Sequence, residues 1–572
     1  MTSLSRRLHF PVFIGLWLFA TTTAHTSPDA GNTLTIEAVK ARIHTAGAAM
    51  DRVWNLSSEG DVGEYVSFPQ GGRYEITVRA RGTIAGKQWP IAALKLDDDA
   101  RKTSTVAQTD LGDYRATLEI GPGLHKLTIA FTNDAVIGGE DRNLFLDRIT
   151  VRGETGQPVP TLGDPSDWTA ACEKREQDAL ARAAESAEKV RKGDAVIEVR
   201  DQNGRAVADA AVTVELVRHD FLFGCNIYMF DRFKTEQDNA EYKRRFADLF
   251  NYATTGFYWR WYESERGKPM YDYTDKVVAW CRERGIRIKG HPLLWGDQAG
   301  VPRWSDGQPS AGLRKNRVEE IMTRYHGKIE FWEVVNEPSH LREPTIAESY
   351  PWARAADPSA TLIVNDYYIL ADGRPPFFRM LQQAIAQGVP FDGIGIQAHE
   401  PRTMRFPLDR SWRILDDYAA LGKPLHITEY TPTSAGEPIT GSHRTGKWDE
   451  ASQAEWAEKF YRLCFGHPAV AAITWWDLCD RGAWLKGGGM LRADLSPKPV
   501  YEALQRLVHE EWHTKAEGKT DRSGVFSFRG YYGLHRVTGK TPDGRQAQAD
   551  FHLSKTGANR FTLTLAPTAA KP

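Results

Sequence analysis

Two short stretches of this chain join a buried, β-branched run to groups that could do acid–base chemistry. Phe331-Trp332-Glu333-Val334-Val335-Asn336-Glu337-Pro338 runs as an apolar strand and breaks into an amide, a carboxylate and a proline. Pro424-Leu425-His426-Ile427-Thr428-Glu429-Tyr430 repeats the pattern nearly a hundred residues later. Strands that finish in polar groups are what a (β/α)₈ barrel places at its C-terminal rim, where its chemistry sits. Either carboxylate alone could be no more than a cap for the next helix. Two of them, on the rims of different strands, suit hydrolysis of a glycosidic bond: one protonates the leaving oxygen and the other acts on the sugar carbon. Glu337 and Glu429 are therefore the candidate catalytic pair.

A barrel to carry them is legible in the alternation between Phe221 and about Leu507. Strand candidates are Phe221–Ile227, Tyr252–Gly256, Arg287–His291, Phe331–Asn336, Thr361–Asn365, Gly393–Gln397, Leu425–Glu429 and Ala472–Trp476, with helical patterns between them such as Thr274–Arg284 and Leu313–Tyr325. Eight βα units over this length predict a TIM barrel at 219–510. No glycine-rich turn follows the first strand, which excludes a dinucleotide-binding fold. Other predicted strand ends carry His291 and Trp295, Asn336, Gln397 and His399, and Trp476 with Trp484 close behind. Their convergence on one rim exceeds what structural histidines and amides account for.

The rest of the 572 residues calls for further domains. Arg6 and Arg7, the apolar run Phe10–Ala20 and the small residues Thr22-Thr23-Ala24 read as a signal peptide over 1–24. The expected product is secreted or periplasmic, with no membrane span. Residues 28–153 read as short alternating strands, including Glu64–Phe68, Arg73–Val78 and Leu127–Phe131, which predicts an antiparallel β-sandwich. A proline-rich linker and a charged helix, Trp168–Lys192, fill 154–193. That helix would be capped by Ser166 or Asp167, stopped at Gly193, and would carry its charges as a solvated face. An accessory hairpin at 194–218 would pair Ala195–Arg200 with Ala211–Leu216 and meet a C-terminal β segment at 517–567 as a small β-layer.

A net charge of -1 argues against nucleic acid as a partner. Eighteen tryptophans, several in predicted loops, suit stacking on flat sugar faces. Five scattered cysteines (Cys172, Cys225, Cys281, Cys464, Cys479) leave room for one disulfide, with no pair distinguishable.

The barrel motifs in combination resemble glycoside hydrolase family 10, the retaining β-1,4-xylanases, over about Phe221 to Tyr501. The resemblance of WEVVNEP implies general acid/base Glu337 supported by Asn336, and that of ITEY implies nucleophile Glu429. GHPLLW implies His291 and Trp295 around the scissile bond. DGIGIQAH implies Gln397 and His399, with His399 hydrogen-bonding the nucleophile. TWWDLCDRGAW implies Trp476 and Trp484 as sugar platforms. Retention would place the two carboxyls about 5–5.5 Å apart. The chain departs from the family at strand two. There a Glu-Asn-x-x-Lys-Trp motif is replaced by Gly256-Phe257-Tyr258-Trp259-Arg260-Trp261, leaving Arg260 and Trp261 as the substrate-binding candidates. The position after Trp295, usually His, is Gly296.

The N-terminal module resembles calcium-dependent xylan-binding modules of jelly-roll fold, on Phe131-Thr132-Asn133-Asp134 and Asp141-Arg142-Asn143-Leu144-Phe145-Leu146-Asp147. Asp134, Asp141 and Asp147 could supply oxygens to calcium, and they could equally be turn residues. The expectation is a multidomain, monomeric, secreted retaining endo-β-1,4-xylanase acting on plant cell-wall polysaccharide, with no cofactor for catalysis and calcium in its N-terminal module. A retaining β-glycosidase of the same barrel family acting on another β-linked glycan, and a non-catalytic polysaccharide-binding protein, are the alternatives.

Overall fold

The computed structural model describes residues 33–565. The proposed signal peptide at 1–24 lies outside the described residues. The chain divides into two compact units, residues 1–174 and 175–572.

The first unit is a sandwich of two six-stranded antiparallel sheets. One is built on Leu144–Gly153 and Gly72–Gly82, the other on Gly60–Phe68 and Gly123–Phe131. Alternation buries Tyr74, Ile76 and Val78 from one sheet against Leu94, Leu127 and Ile129 from the other. The segment read as linker is partly sandwich. Thr161–Leu162 pairs with Ser67 and Val66, and Gly163 donates to Tyr65 O at 2.9 Å. Two residues suffice because their neighbour's edge offers unpaired backbone groups.

The helix spans Trp168–Val190. Its start differs from expectation: Asp164 accepts from Ser166 N and opens a short 3₁₀ turn, Pro165–Asp167. Gly193 is no stop, since it lies inside the strand Lys192–Arg200. Nor is the charged face wholly solvated. Within the second unit, Glu176 is buried in ion pairs with Lys459 and Arg405, and Arg405 in turn bonds Glu455. Ala183 lies so close to Gly466 that a Cβ at 466 would sit 2.3 Å from the Ala183 carbonyl oxygen.

The second unit holds the barrel. Eight parallel strands run Leu222–Asn226, Tyr252–Gly256, Arg287–His291, Phe331–Asn336, Thr361–Asp366, Gly393–Ile396, Leu425–Tyr430 and Val470–Trp475. The first pairs with the eighth (Leu222↔Ala472) and the third with the fourth (Lys289↔Phe331), so the sheet closes. Gly290 is required at that seam: a Cβ there would meet the buried Trp332 ring at 2.2 Å.

Two accessory sheets share a separate core around Ile197, Val214, Val537 and Leu563. Here the expected hairpin is replaced by a different pairing. Lys192–Arg200 sits between Val525–Tyr531 and Arg560–Thr564, whereas Ala211–His219 lies in the other sheet between Lys515–Lys519 and Gly533–Lys540. Each strand buries more apolar surface between two C-terminal neighbours than it could in an isolated pair. No disulfide joins the five cysteines among the described residues.

Candidate active site

Four positions within two residues of a barrel strand end hold a side chain at positive φ: Glu337 (55°), Tyr368 (65°), Ala398 (62°) and Asp477 (73°). Non-glycine residues pay to sit there, and such strain collects at functional rims. For Glu337 the backbone is fixed by its N–H donating to Asn365 O at 2.9 Å.

The two candidate carboxylates are joined by a chain of amides. Asn365 Nδ2 donates to Glu429 Oε1 (2.8 Å) and to Asn336 Oδ1 (3.0 Å), and Gln397 Nε2 donates to Asn336 Oδ1 (3.4 Å) and to Glu337 Oε1 (3.0 Å). Trp295 Nε1 donates to Glu337 Oε2 at 3.1 Å. Strands four, five, six and seven thus all contribute, strand four twice through Asn336 and Glu337, which ties the separation of Glu337 and Glu429 to the barrel itself. Burial raises the Glu337 carboxyl to about 7. Burial, followed by the negative charges of Glu333 and Glu337, pushes Glu429 upward as well. Burial is the first cause of both shifts; the Asp366 charge adds to the rise of Glu337, and the Glu337 charge adds to that of Glu429.

Behind Glu429 lies a buried charged triad. Glu333 accepts from Lys289 Nζ at 2.5 Å and from His291 Nδ1, all three fully buried. Burial alone would raise Glu333, but Lys289 and His291 overcome it and hold the carboxyl below its ordinary value. His291 Nε2 stands 3.9 Å from Glu429 Oε1. His291, Glu333 and Glu429 bring their ligand atoms within 4.8 Å, but the Lys289 ammonium already supplies the cation there. Replacing Glu333 by alanine strands that ammonium in the barrel, so we expect a loss of about 3–5 kcal/mol, read as a lowered urea midpoint.

His399 departs from expectation. Its Nε2 bonds Gln397 Oε1 at 2.8 Å, not the Glu429 carboxylate, and Trp484 stacks on its ring at 4.6 Å. Gln397 needs an acceptor-side partner once its amide N–H groups serve Asn336 and Glu337, and His399 fills that place. Trp484 is 46% exposed, and the Arg402 guanidinium lies 4.5 Å from its ring centre. Trp476 is only 4% exposed and edges against His291 and Tyr228, forming a wall. Trp261 is 51% exposed, while Arg260 stands beside it on the short helix Trp259–Tyr262 with no hydrogen bond or ion pair among the described residues.

Sequence reasoning missed Glu333, Lys289, Asn365 and Tyr258 as site residues. Glu333 sits inside an apolar strand and looks like core. The signal was its position four residues before Glu337, since alternate residues share a face.

The N-terminal metal expectation is only partly met. Asp134, Asp141 and Asp147 do not gather within ligand range of one another among the described residues. Asp147 is instead spent on Arg148 (2.6 Å) and Arg79 (3.5 Å), which neutralise it. Asp134 Oδ1 and Asn143 Oδ1 are buried without a hydrogen-bond partner, and Asn143 Nδ2 donates to Asp141 at 2.9 Å. Orphaned buried oxygens of this kind suit a hard cation.

A closed parallel barrel with two buried rim carboxyls, both raised and joined through amides, is the arrangement that defines the glycoside hydrolase class of site. Residues 215–507, just over half the chain, match the profile of glycosyl hydrolase family 10, and residues 75–161 match that of a Ca-dependent, xylan-binding carbohydrate-binding module. The chain belongs to glycosyl hydrolase family 10.

It is 30% identical over 292 residues to endo-1,4-beta-xylanase B of Thermotoga neapolitana, covering 46% of this chain and 82% of that one. It is 29% identical over 374 residues to the anti-sigma-I factor RsgI6 of Acetivibrio thermocellus, covering 63% and 46%. Endo-1,4-beta-xylanase 1 of Arabidopsis thaliana is 29% identical over 388 residues, covering 64% and 38%. The chain thus spans less than half the length of the latter two relatives. Xylanase 10B of Thermotoga petrophila, solved with xylobiose, superposes with a TM-score of 0.44 at 25% identity, covering 51% and 95%. No helix among the described residues is long and apolar enough to cross a membrane.

Proposed function

We propose that this chain is an exported, monomeric, retaining endo-β-1,4-xylanase whose substrate is xylan or a related plant cell-wall glycan. The observation that carries this is the amide chain from Glu429 through Asn365, Asn336 and Gln397 to Glu337. Glu429 attacks the anomeric carbon, its charge steadied by the Asn365 amide and the Lys289 ammonium. Glu337 donates its proton to the departing oxygen, held in place by Gln397 and Trp295. Water then enters, Glu337 takes its proton, and the glycosyl ester on Glu429 is cleaved with the anomeric configuration retained. The chemistry uses no cofactor. Trp484, Trp261 and Arg260 line the approach as sugar contacts.

Chromatography of products from glucuronoarabinoxylan, beside undecorated xylo-oligosaccharides, tests this reading. Short xylo-oligosaccharides are the expected result, and no release from any xylan by folded protein would overturn it. A second reading, the same retaining chemistry on another β-linked glycan, is favoured by one feature: Phe257 is fully buried where the family presents an amide. Hydrolysis of an aryl β-glucoside in preference to an aryl β-xylobioside would select it.

In the N-terminal module we assign calcium to oxygens of Asp134, Asp141 and Asn143, without Asp147. Bound there, the ion would supply a hard centre for sugar hydroxyls, and the module would tether the barrel to insoluble substrate. Chelation with EDTA should release the protein from insoluble xylan while hydrolysis of a soluble aryl β-xylobioside stays unchanged. Retention on xylan in excess EDTA would show that these oxygens hold no working ion.

A further inference from the structure

The altered end of strand two does more than remove polar groups, because Tyr258 enters the site there. Its hydroxyl lies 3.1 Å from His291 Nε2. Its placement is tightly specified. Phe257 N–H donates to the carbonyl of the same His291 at 2.7 Å, and Arg317 holds the loop by donating to the carbonyls of Phe257 and Leu293 while its guanidinium covers the Trp259 ring at 4.6 Å. Tyr228 packs edge-on against Tyr258 at 5.9 Å. Gly256 makes room for that ring, since a Cβ at 256 would stand 3.1 Å from the Tyr228 ring. The glycine, the two phenols and the histidine form one fitted unit.

The direction of the Tyr258 hydrogen bond follows from the other side of the imidazole. The Glu333 carboxylate is an acceptor only, so His291 Nδ1 carries a proton. Burial lowers His291, which leaves it neutral with a bare Nε2. Tyr258, whose own ionisation burial pushes far up, is then the donor. The groups facing His291 are Glu333 and Lys289 beneath it, Glu429 at 3.9 Å, Tyr258 and the Trp476 ring.

We propose that Tyr258 is a positioning residue: its phenol donates to His291 Nε2, holds the imidazole neutral with its proton on Nδ1, and so keeps a cation from forming against the nucleophile. This rests on the reading of Glu429 as nucleophile. Without the phenol, Nε2 gains by taking a proton and turning it to the Glu429 carboxylate. An imidazolium there would withdraw charge from the attacking oxygen.

The test is the pH profile of kcat/KM for Tyr258→Phe on an aryl β-xylobioside, with folding checked by thermal melting. Removing one hydrogen bond should bring protonation of His291 into the acid limb that Glu429 sets in the wild type, raise its apparent pKa by about one unit and cut kcat/KM about tenfold there, with less loss near the optimum. An acid limb unmoved from wild type, with or without a lower rate, overturns the proposal. An inactive wild type would count against the xylanase reading alone. The tautomer then decides: in histidine-¹⁵N-labelled protein, assigned with His291→Gln, an unprotonated Nε2 at neutral pH supports the proposal and a protonated one overturns it. The same spectrum serves if Tyr258→Phe does not fold.

Discussion

Replacing Glu429 by alanine should lower xylan hydrolysis on the order of 10⁵-fold, since it removes the atom that forms the covalent intermediate and leaves only binding and acid assistance. The fold should survive. Glu429 is held by a single side-chain donor, Asn365, and its removal takes a raised, reluctant charge out of the barrel. The informative result is rescue. Sodium azide fits the space of the lost carboxylate and attacks from the same face, so the product from an aryl β-xylobioside should be the α-glycosyl azide. A β-azide, or full activity without azide, would remove Glu429 from the role assigned here.

Glu337→Ala should show a different signature, because acid assistance matters in proportion to how poor the leaving group is. Release of an unactivated sugar should fall by roughly 10²–10⁴-fold, whereas an activated nitrophenolate should still leave rapidly in the first step. The pH dependence follows from the raised carboxyl. Activity requires Glu337 to hold its proton, so kcat/KM of the wild type should fall as pH rises through about 7, where that proton is lost. The acid limb belongs to the partner: Glu429 must be ionised, so activity falls when both carboxyls are protonated. In Glu337→Ala the alkaline limb should vanish while the acid limb stays, since Glu337 is already protonated and neutral there in the wild type. Retention of the limb near 7 would assign it to another group.

Much of this was legible in the sequence, for a physical reason. Barrel strands buried on both faces read as short apolar runs. Tyr252–Gly256, Arg287–His291 and Phe331–Asn336 were found to the residue, and the others lie within two residues of expectation. The catalytic pair showed because a carboxylate ending an apolar strand is costly to leave unexplained. What stayed hidden depended on contacts between distant segments. Nothing in Lys192–Arg200 or Ala211–His219 reveals that each prefers partners more than 300 residues away to the other. Nothing in Asp147 announces Arg79 as its partner. Tyr258 stands in the sequence only as one residue of the replaced strand-two motif, and only the position of His291 shows its hydroxyl to be engaged.

The pairing of the accessory strands also bears on how the protein is made. Lys192–Arg200 and Ala211–His219 leave the ribosome before the barrel, yet their neighbours, Lys515–Lys519, Val525–Tyr531, Gly533–Lys540 and Arg560–Thr564, are translated after it. At about 5–20 residues per second those two strands wait tens of seconds with unmatched edges. Pairing of the accessory strands and closure of the barrel both bring the two ends of the barrel sequence together, so the accessory core cannot be complete until the barrel has been translated. Nascent chains stalled before residue 515 should therefore be cut by protease within 192–219 even where the barrel resists, and protection should arrive only when the last strand has emerged.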